Sequence, residues 1–225
     1  MHLWDQKNGF FGSVPIVAGT VSLAVGAGMA ARLKQTNDIA VAYFGDGACE
    51  EGVVHESLNL SKVHSEPVLF VVEHNLYASH MHWTQRQPFF STARFAEANG
   101  ITARVVDGNN VLEVANAAEY LISDIRRGKG PAFLEAITYR WYGHVDWRED
   151  VDVGLTRSRD EISNWKAKDP VRRLSDAMIE AGLLTGTELQ DLNMSIRGVV
   201  ESSWGQAVAD PYPELDVLKE YVYGK

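Results

Sequence analysis

Hydrophobic and polar positions follow two alternating patterns from the start of the chain to about residue 137. Short, nearly continuous apolar runs predict strands at residues 39–44, 68–72, 102–106 and 132–137. Segments with helical periodicity predict helices at residues 17–33, 50–63, 91–99 and 111–127. Strands separated by helices form parallel sheets that helices cover on both faces, and such buried strands need not alternate. We therefore expect an α/β fold with a mostly parallel sheet.

Beyond the last predicted strand the pattern changes. Residues 139–157 are polar and aromatic with little regular period, which in a compact domain indicates a functional or mobile loop. Residues 158–225 are predicted to form a helical C-terminal extension, with helices at 170–182 and 185–209. Because neither repeats nor a clear linker occur in the sequence, we expect residues 1–225 to form a single domain.

The composition argues against two classes of binding partner, nucleic acids and membranes. The net charge is −9, from 21 basic and 30 acidic residues, and the sequence has no basic cluster of the kind that binds nucleic acid. The single cysteine, Cys49, rules out a disulfide within the chain and fits a reducing compartment. The apolar stretch at 14–31 contains Pro15 and many small residues, so it is too weakly hydrophobic to span a bilayer. We expect a cytoplasmic protein with neither nucleic acid nor membrane as a partner.

Candidate chemistry lies where two predicted strands end. Gly45-Asp46-Gly47 follows the first strand, and Asn75 follows the second. Ligands of parallel sheets bind outside the carboxyl ends of strands, and the glycines allow a sharp turn and close approach of the backbone to a ligand. The N–H groups at the start of the next helix favour phosphate. Carboxylate, amide and main-chain oxygens suit Mg²⁺, which keeps its other positions for phosphate and water.

A Gly-Asp-Gly tripeptide alone is often only a turn, so the surrounding residues matter. The stretches that carry a wider resemblance are Gly45-Asp46-Gly47-Ala48, Glu51-Gly52, His55-Glu56-Ser57-Leu58-Asn59, Pro67-Val68 and Val72-Glu73-His74-Asn75-Leu76-Tyr77-Ala78. Further matches on both sides are Gly9-Phe10-Phe11-Gly12, Gly130-Pro131, Thr138-Tyr139-Arg140, Gly143-His144 and Arg157-Ser158-Arg159-Asp160-Glu161-Ile162. Together they cover essentially the whole chain. It resembles the α subunit of the thiamine-diphosphate-dependent first component of 2-oxo-acid dehydrogenase complexes, of the pyruvate or acetoin dehydrogenase kind.

The resemblance implies the fold of thiamine-diphosphate-binding domains and a ligand set for thiamine diphosphate and Mg²⁺. Asp46, Asn75 and the main-chain oxygen of Tyr77 are implied to hold Mg²⁺. Gly47 and Ala48 are implied to line the diphosphate. The family usually has Asn-Asn where this chain has a histidine followed by Asn75. The metal-binding asparagine is the second of the pair, so the departure affects a neighbour of the ligand.

Two more positions take a role from the resemblance. Main-chain groups near Pro15 and Val17 are implied to meet the aminopyrimidine ring. His144, in the predicted active-site loop, is implied to be a catalytic and cofactor-binding residue that contacts phosphate or positions the acyl group. The alternative interpretation of His144 is a surface histidine of a loop. Val145 follows it where pyruvate-type members commonly have serine, so we expect no regulation by phosphorylation at that position, and the substrate stays open.

The implied activity is oxidative decarboxylation of a pyruvate-like 2-oxo acid, or conversion of acetoin, with transfer of the acyl group to a lipoyl group. In the family a separate β subunit supplies the glutamate that activates the aminopyrimidine. The implied partners are therefore a β subunit in an α₂β₂ assembly and a lipoyl-bearing acyltransferase component. The chain starts inside a family motif at Met1-His2. We accordingly expect it to lack the usual N-terminal part and not to be fully active alone.

Two other classes of protein compete with this interpretation. A phosphoacceptor or phosphotransfer domain built on Asp46 would need a second acidic cluster near the first strand and a lysine at a later strand end, and the sequence shows neither. A non-catalytic subunit, the second class, could bind cofactor or partner without catalysing a reaction.

Cys49 follows the Asp46 turn and could be read as a nucleophile. The sequence places no base to activate it, so we expect Cys49 to be a small residue that fills the turn.

Overall fold

The strands confirm the predicted parallel sheet. The computed structural model describes residues 2–149, 151–152 and 155–217. The strands among these residues are β1 (Ala40–Gly45), β2 (Val68–His74), β3 (Tyr77–Ala78), β4 (Met81–His82), β5 (Thr102–Asp107), β6 (Ala132–Ile137), β7 (Val151–Asp152) and β8 (Leu155–Thr156). A parallel sheet has the order β1-β2-β6-β5, while β3 with β4 and β7 with β8 form antiparallel pairs.

The helices follow the predicted order. They are α1 (Gly19–Leu33), α2 (Gly52–Val63), α3 (Ala93–Ala98), α4 (Val111–Arg126), α5 (Arg159–Lys166), α6 (Pro170–Glu180) and α7 (Gly186–Ala209). The helix predicted from residue 50 begins later, because Ala48–Glu50 is a separate 3₁₀ turn and Glu51 has an extended backbone. None of the described helices is both long and apolar enough to cross a membrane.

The core lies on both faces of the sheet. Phe70 and Phe133 are opposite each other on β2 and β6 and pack with side chains of α1, α2 and α3. Leu69 and Leu134 point to the other face and pack with α4, including Leu121. Each large apolar side chain buried in this way contributes roughly 1.5–3 kcal/mol. The two clusters fix the positions of the strands and hence of the strand ends.

The chain consists of two compact units, Met1–Leu174 and Ser175–Lys225. In the second unit, α7 begins with a capping box. The backbone N–H of Glu188 donates to the hydroxyl of Thr185 (3.2 Å), and the backbone N–H of Thr185 donates to the carboxylate of Glu188 (2.8 Å). The two bonds satisfy amides that a helix start leaves without partners.

Candidate functional site

The sheet brings Asp46 and Asn75 to the ends of neighbouring strands. Strand β1 runs parallel to β2 with Gly45 opposite Glu73, so Asp46 follows the last residue of one strand and Asn75 follows the last residue of the next. Asp46 is 2% exposed, and Asn75 is half-buried. The prediction that these two strand ends are neighbours is confirmed.

Asp46 is a buried carboxylate whose two oxygens differ. Its Oδ2 accepts a hydrogen bond from Nη2 of Arg86 and lies 4.0 Å from Nε2 of His74. Its Oδ1 has no hydrogen-bond partner within the described residues. A buried carboxylate oxygen without a partner is unfavourable unless a ligand or water satisfies it. Asp46 thus keeps one oxygen available at the end of β1.

Arg86 is the main residue of this site that the sequence did not indicate. Its side chain is 5% exposed, and it donates to Asp46, to Glu50 through Nη1, and to the main-chain oxygen of Met81 through Nε (3.1 Å). The carboxylate of Glu50 also accepts from the amide of Gln87 (2.7 Å). One cation therefore holds two carboxylates together beside the Gly45–Gly47 turn.

The two glycines of the motif have different reasons to be glycine. A Cβ on Gly47 would lie 2.5 Å from the Cβ of Ala78 in β3, although the backbone of Gly47 is in the ordinary right-handed region. A Cβ on Gly45 would meet nothing within 4 Å. Close approach of the β3–β4 hairpin thus requires a glycine at position 47. At Gly45 the described residues leave room for a Cβ, so its predicted role in the close approach of a ligand stays a prediction.

The segment after β2 holds a strained turn. The side-chain oxygen of Asn75 accepts from the backbone N–H of Tyr77 (3.1 Å), and Leu76 between them has a φ of 75°. A non-glycine residue in this left-handed region costs about 1 kcal/mol or more, and such strain is concentrated at functional sites. An amide oxygen has two lone pairs, so Asn75 can stabilise the turn and still bind a cation. The Tyr77 hydroxyl donates to Glu161 (3.2 Å).

His74, which stands where the family usually has asparagine, is part of a buried network. Its Nδ1 lies 2.7 Å from Glu135, which is 0% exposed and also accepts hydrogen bonds from the hydroxyl of Ser91 and the amides of Thr92 and Ala93. Burial raises the pKa of Glu135, but these hydrogen bonds outweigh it and lower the pKa to about 2. Glu135 is therefore ionised and holds His74 in place beside Asp46.

The base of the predicted active-site loop is tied to the same region. The buried guanidinium of Arg157 donates to the main-chain oxygens of Arg140, Trp141 (2.8 Å) and Glu149 (2.8 Å). Arg140 in turn donates to the main-chain oxygen of Ser79 (2.7 Å) in the β3–β4 hairpin. The loop base is thus joined to the hairpin that packs on the Gly45–Gly47 turn.

The remaining candidate residues are placed as follows. His144 is exposed on the loop after β6, and Val17 is exposed just before α1, so the roles given to them stay predictions. Cys49 is fully buried, its thiol lies 3.7 Å from the main-chain oxygen of Gly45, and burial raises the pKa of the thiol. A buried thiol held in its neutral form is a poor nucleophile, which agrees with the expectation that Cys49 fills the turn.

The donors at the strand ends fit a hard cation bound together with an anion. The orphaned Oδ1 of Asp46 and the amide oxygen of Asn75 are the kind of ligand that Mg²⁺ takes. The described residues contain no group of three or more His, Cys, Asp or Glu side chains arranged for a metal. A metal here would depend on the mixed oxygen set and on ligands from outside the chain, such as phosphate.

Comparison with known proteins shows which family the chain resembles over most of its length. The model of the dehydrogenase E1 component family matches residues 1–216. The α subunit of the pyruvate dehydrogenase E1 component of Rhizobium meliloti (strain 1021) is 32% identical over 219 residues, which are 97% of this chain and 62% of that protein. The α subunit of acetoin:2,6-dichlorophenolindophenol oxidoreductase of Bacillus subtilis (strain 168) is 33% identical over 224 residues, 99% of this chain and 66% of that protein.

The fold is that of an α/β protein with a candidate ligand site at the carboxyl edge of its parallel sheet. The chain belongs to the dehydrogenase E1 component family. It spans from about half to about two thirds of the length of the curated relatives, with 54% for the chloroplastic α-3 subunit from Oryza sativa subsp. japonica. Membership of the family removes the phosphoacceptor interpretation of Asp46.

Proposed function

We propose that the chain is the α subunit of a thiamine-diphosphate-dependent dehydrogenase that acts on a pyruvate-like 2-oxo acid or on acetoin. The reaction is oxidative decarboxylation, or the corresponding cleavage of acetoin, with transfer of the acyl group to a lipoyl group. The observation that carries the proposal is the buried Asp46, whose Oδ1 has no partner in the described part of the chain, next to Asn75 at the carboxyl edge of the sheet. The relatives named for pyruvate and acetoin support the two substrate classes.

In this proposal the oxygens at the strand ends hold the cofactor. Asp46, Asn75 and the main-chain oxygen of Tyr77 bind Mg²⁺, and Gly47 and Ala48 line the diphosphate. Thiamine diphosphate, when bound, supplies the nucleophilic carbon and the electron sink for loss of CO₂. The protein orients the diphosphate, and the close packing of the β3–β4 hairpin on Gly47 keeps that turn in one position.

Other parts of the chain complete the assignment. Val17 contributes main-chain contacts to the aminopyrimidine, and His144 contacts phosphate or positions the acyl group. The glutamate that activates the aminopyrimidine comes from a β subunit, so the working unit is an α₂β₂ assembly that transfers its product to a lipoyl-bearing acyltransferase. Residues 1–225 form one cofactor-binding domain in this proposal, and its location is the cytoplasm.

Calorimetric titration with thiamine diphosphate in the presence of Mg²⁺ tests the proposal, with and without a β partner. We expect saturable binding, and we expect Asp46→Ala to weaken it at least about 100-fold, because a charged metal ligand is lost. The matched control is Asp191→Ala, which removes an exposed carboxylate of α7 and is expected to leave the affinity unchanged.

The outcomes separate the alternatives. Equal affinity of wild type and Asp46→Ala would refute the metal assignment. Tight binding without decarboxylation in the presence of the β partner would favour a non-catalytic subunit. Decarboxylation by this chain alone at the rate of an αβ assembly would contradict the need for a partner.

A further inference from the structure

Arg86 forms an ion pair with Asp46, the carboxylate that the proposed metal site requires. Its guanidinium bridges Asp46 and Glu50 and is almost completely buried. It also lies beside the turn that would receive the diphosphate, because Nη1 is 3.8 Å from the position of a Cβ on Gly47. The described structure thus places one fixed cation between the metal ligand and the diphosphate turn.

The charge of Arg86 has opposite effects on the binding of a bare metal ion and of a metal–diphosphate complex. A bare Mg²⁺ ion must compete with Arg86 for Asp46 and is repelled by the guanidinium, and both effects are strong in a partly buried site. A complex of Mg²⁺ with diphosphate brings phosphate oxygens, which a guanidinium binds through two parallel hydrogen bonds. The same side chain therefore disfavours the metal alone and favours the metal with its anion.

The surroundings of Arg86 allow this exchange of partners. Its Nε donates to the main-chain oxygen of the exposed residue Met81 (3.1 Å). Because the guanidinium is planar and rigid, it turns as a whole and gives up this bond when its Nη groups change partners. Glu50 keeps a hydrogen bond from the amide of Gln87 (2.7 Å) if Arg86 turns away. Asp46 then has both oxygens available for a metal. After the turn Glu50 keeps the hydrogen bond from Gln87, and the bound metal becomes the partner of Asp46.

We infer that Arg86 makes binding of Mg²⁺ at Asp46 conditional on the diphosphate. The inference rests on the proposed function, since it assumes that Mg²⁺ and a diphosphate bind at this strand edge. Arg86 is the resident counter-ion of Asp46 before binding and a ligand of the diphosphate afterwards. The site consequently selects the loaded cofactor over the free metal ion.

Two titrations of the full chain test the inference, each done with and without a β partner. One uses MgCl₂ alone, and the other uses thiamine diphosphate in saturating Mg²⁺. For Arg86→Gln we expect the affinity for Mg²⁺ alone to rise about tenfold or more and the affinity for thiamine diphosphate to fall about tenfold or more, the size of effect that a charge within a few ångströms produces. Arg197→Gln, an exposed arginine of α7, is the matched control and should change neither affinity.

Arg86→Lys provides a second variant that keeps the charge and loses the fork geometry. We expect it to retain the weak binding of Mg²⁺ alone and to lose part of the affinity for thiamine diphosphate. Far-UV circular dichroism shows that each variant is folded, and Arg86→Lys carries the test if Arg86→Gln is not. Affinities that are unchanged, or that both shift in the same direction, would overturn the inference.

The same experiments separate this inference from the proposed function. Wild-type protein that binds no thiamine diphosphate in the presence of Mg²⁺ and the β partner would overturn both. Wild-type binding that Asp46→Ala abolishes, combined with no opposite shifts in the Arg86 variants, would overturn the role of Arg86 alone.

Discussion

Asp46 and Glu135 are both buried carboxylates, and the imidazole ring of His74 lies between them. Glu135 accepts hydrogen bonds from His74, Ser91, Thr92 and Ala93. Asp46 has Arg86 on one oxygen and, among the described residues, no partner on the other. One carboxylate is saturated with donors from its own chain, whereas the other keeps binding capacity.

The difference is between a carboxylate whose oxygens are all used inside the fold and one with an oxygen available to a ligand. Another saturated example is Glu66, which is fully buried and receives two hydrogen bonds of 3.0 Å from Arg32. Satisfied networks stabilise a fold, while a buried polar atom without a partner is a cost that the folded state carries. We therefore expect substitutions at Glu135 to affect stability and substitutions at Asp46 to affect binding.

The largest expected effect on stability belongs to Glu135→Gln. In either orientation the NH₂ group of glutamine would face one of the backbone N–H groups of Thr92 and Ala93, which donate to different oxygens of Glu135. We therefore expect a loss of about 3 kcal/mol in the free energy of unfolding. Urea denaturation of the cofactor-free protein measures it. Asp46→Asn is the matched control, with an expected loss below about 1 kcal/mol. Equal losses in the two variants would contradict the idea that Glu135 matters more for stability than Asp46 does.

A smaller effect is expected at the glycines that flank Asp46. Gly47→Ala places a methyl group 2.5 Å from the Cβ of Ala78, and we expect it to lower the free energy of unfolding by about 2 kcal/mol through overpacking. Gly45→Ala has open space and should change it far less. Thermal unfolding of both variants measures these changes. A larger loss of stability in Gly45→Ala than in Gly47→Ala would contradict this account of the turn.

A further effect, spread over several pH units, is a pH dependence. The pKa of Glu135 falls from an ordinary value of 4.5 to about 2 in the folded chain, so its contribution to stability is complete above about pH 4.5. It is lost as the pH falls toward 2. One proton corresponds to about 1.4 kcal/mol per pH unit. Wild type should therefore lose stability between pH 4.5 and 2 more steeply than Glu135→Gln, as chemical denaturation at a series of pH values would show. Parallel curves would contradict an ionised Glu135.

The sequence predicted the sheet and two of the site residues because these depend on local pattern. Apolar runs identify the strands, and the rule that parallel strands end at one edge places Asp46 near Asn75. Their predicted roles as metal ligands await the binding experiment. The helix α5 (Arg159–Lys166) was expected only as part of a helical extension, because its apolar positions are few.

The rest of the site depends on contacts between distant residues. Arg86 reaches Asp46 from a hairpin whose path the sequence does not specify, and the partner of His74 comes from another strand. One signal was available for the second contact. Glu135 is a single acidic residue inside an apolar strand, and such a residue is seldom buried without partners. The steric difference between Gly45 and Gly47 also follows only from the position of Ala78.

The β3–β4 hairpin has a consequence for communication within the first unit. Ala78 packs on Gly47, and the adjacent Ser79 accepts the hydrogen bond from Arg140 at the base of the loop. Two consecutive residues of the hairpin therefore contact both the Gly47 turn and the base of the loop. We expect ligand binding at the turn and order at the loop base to be coupled through them, and any such coupling is reciprocal: each would strengthen the other by the same factor.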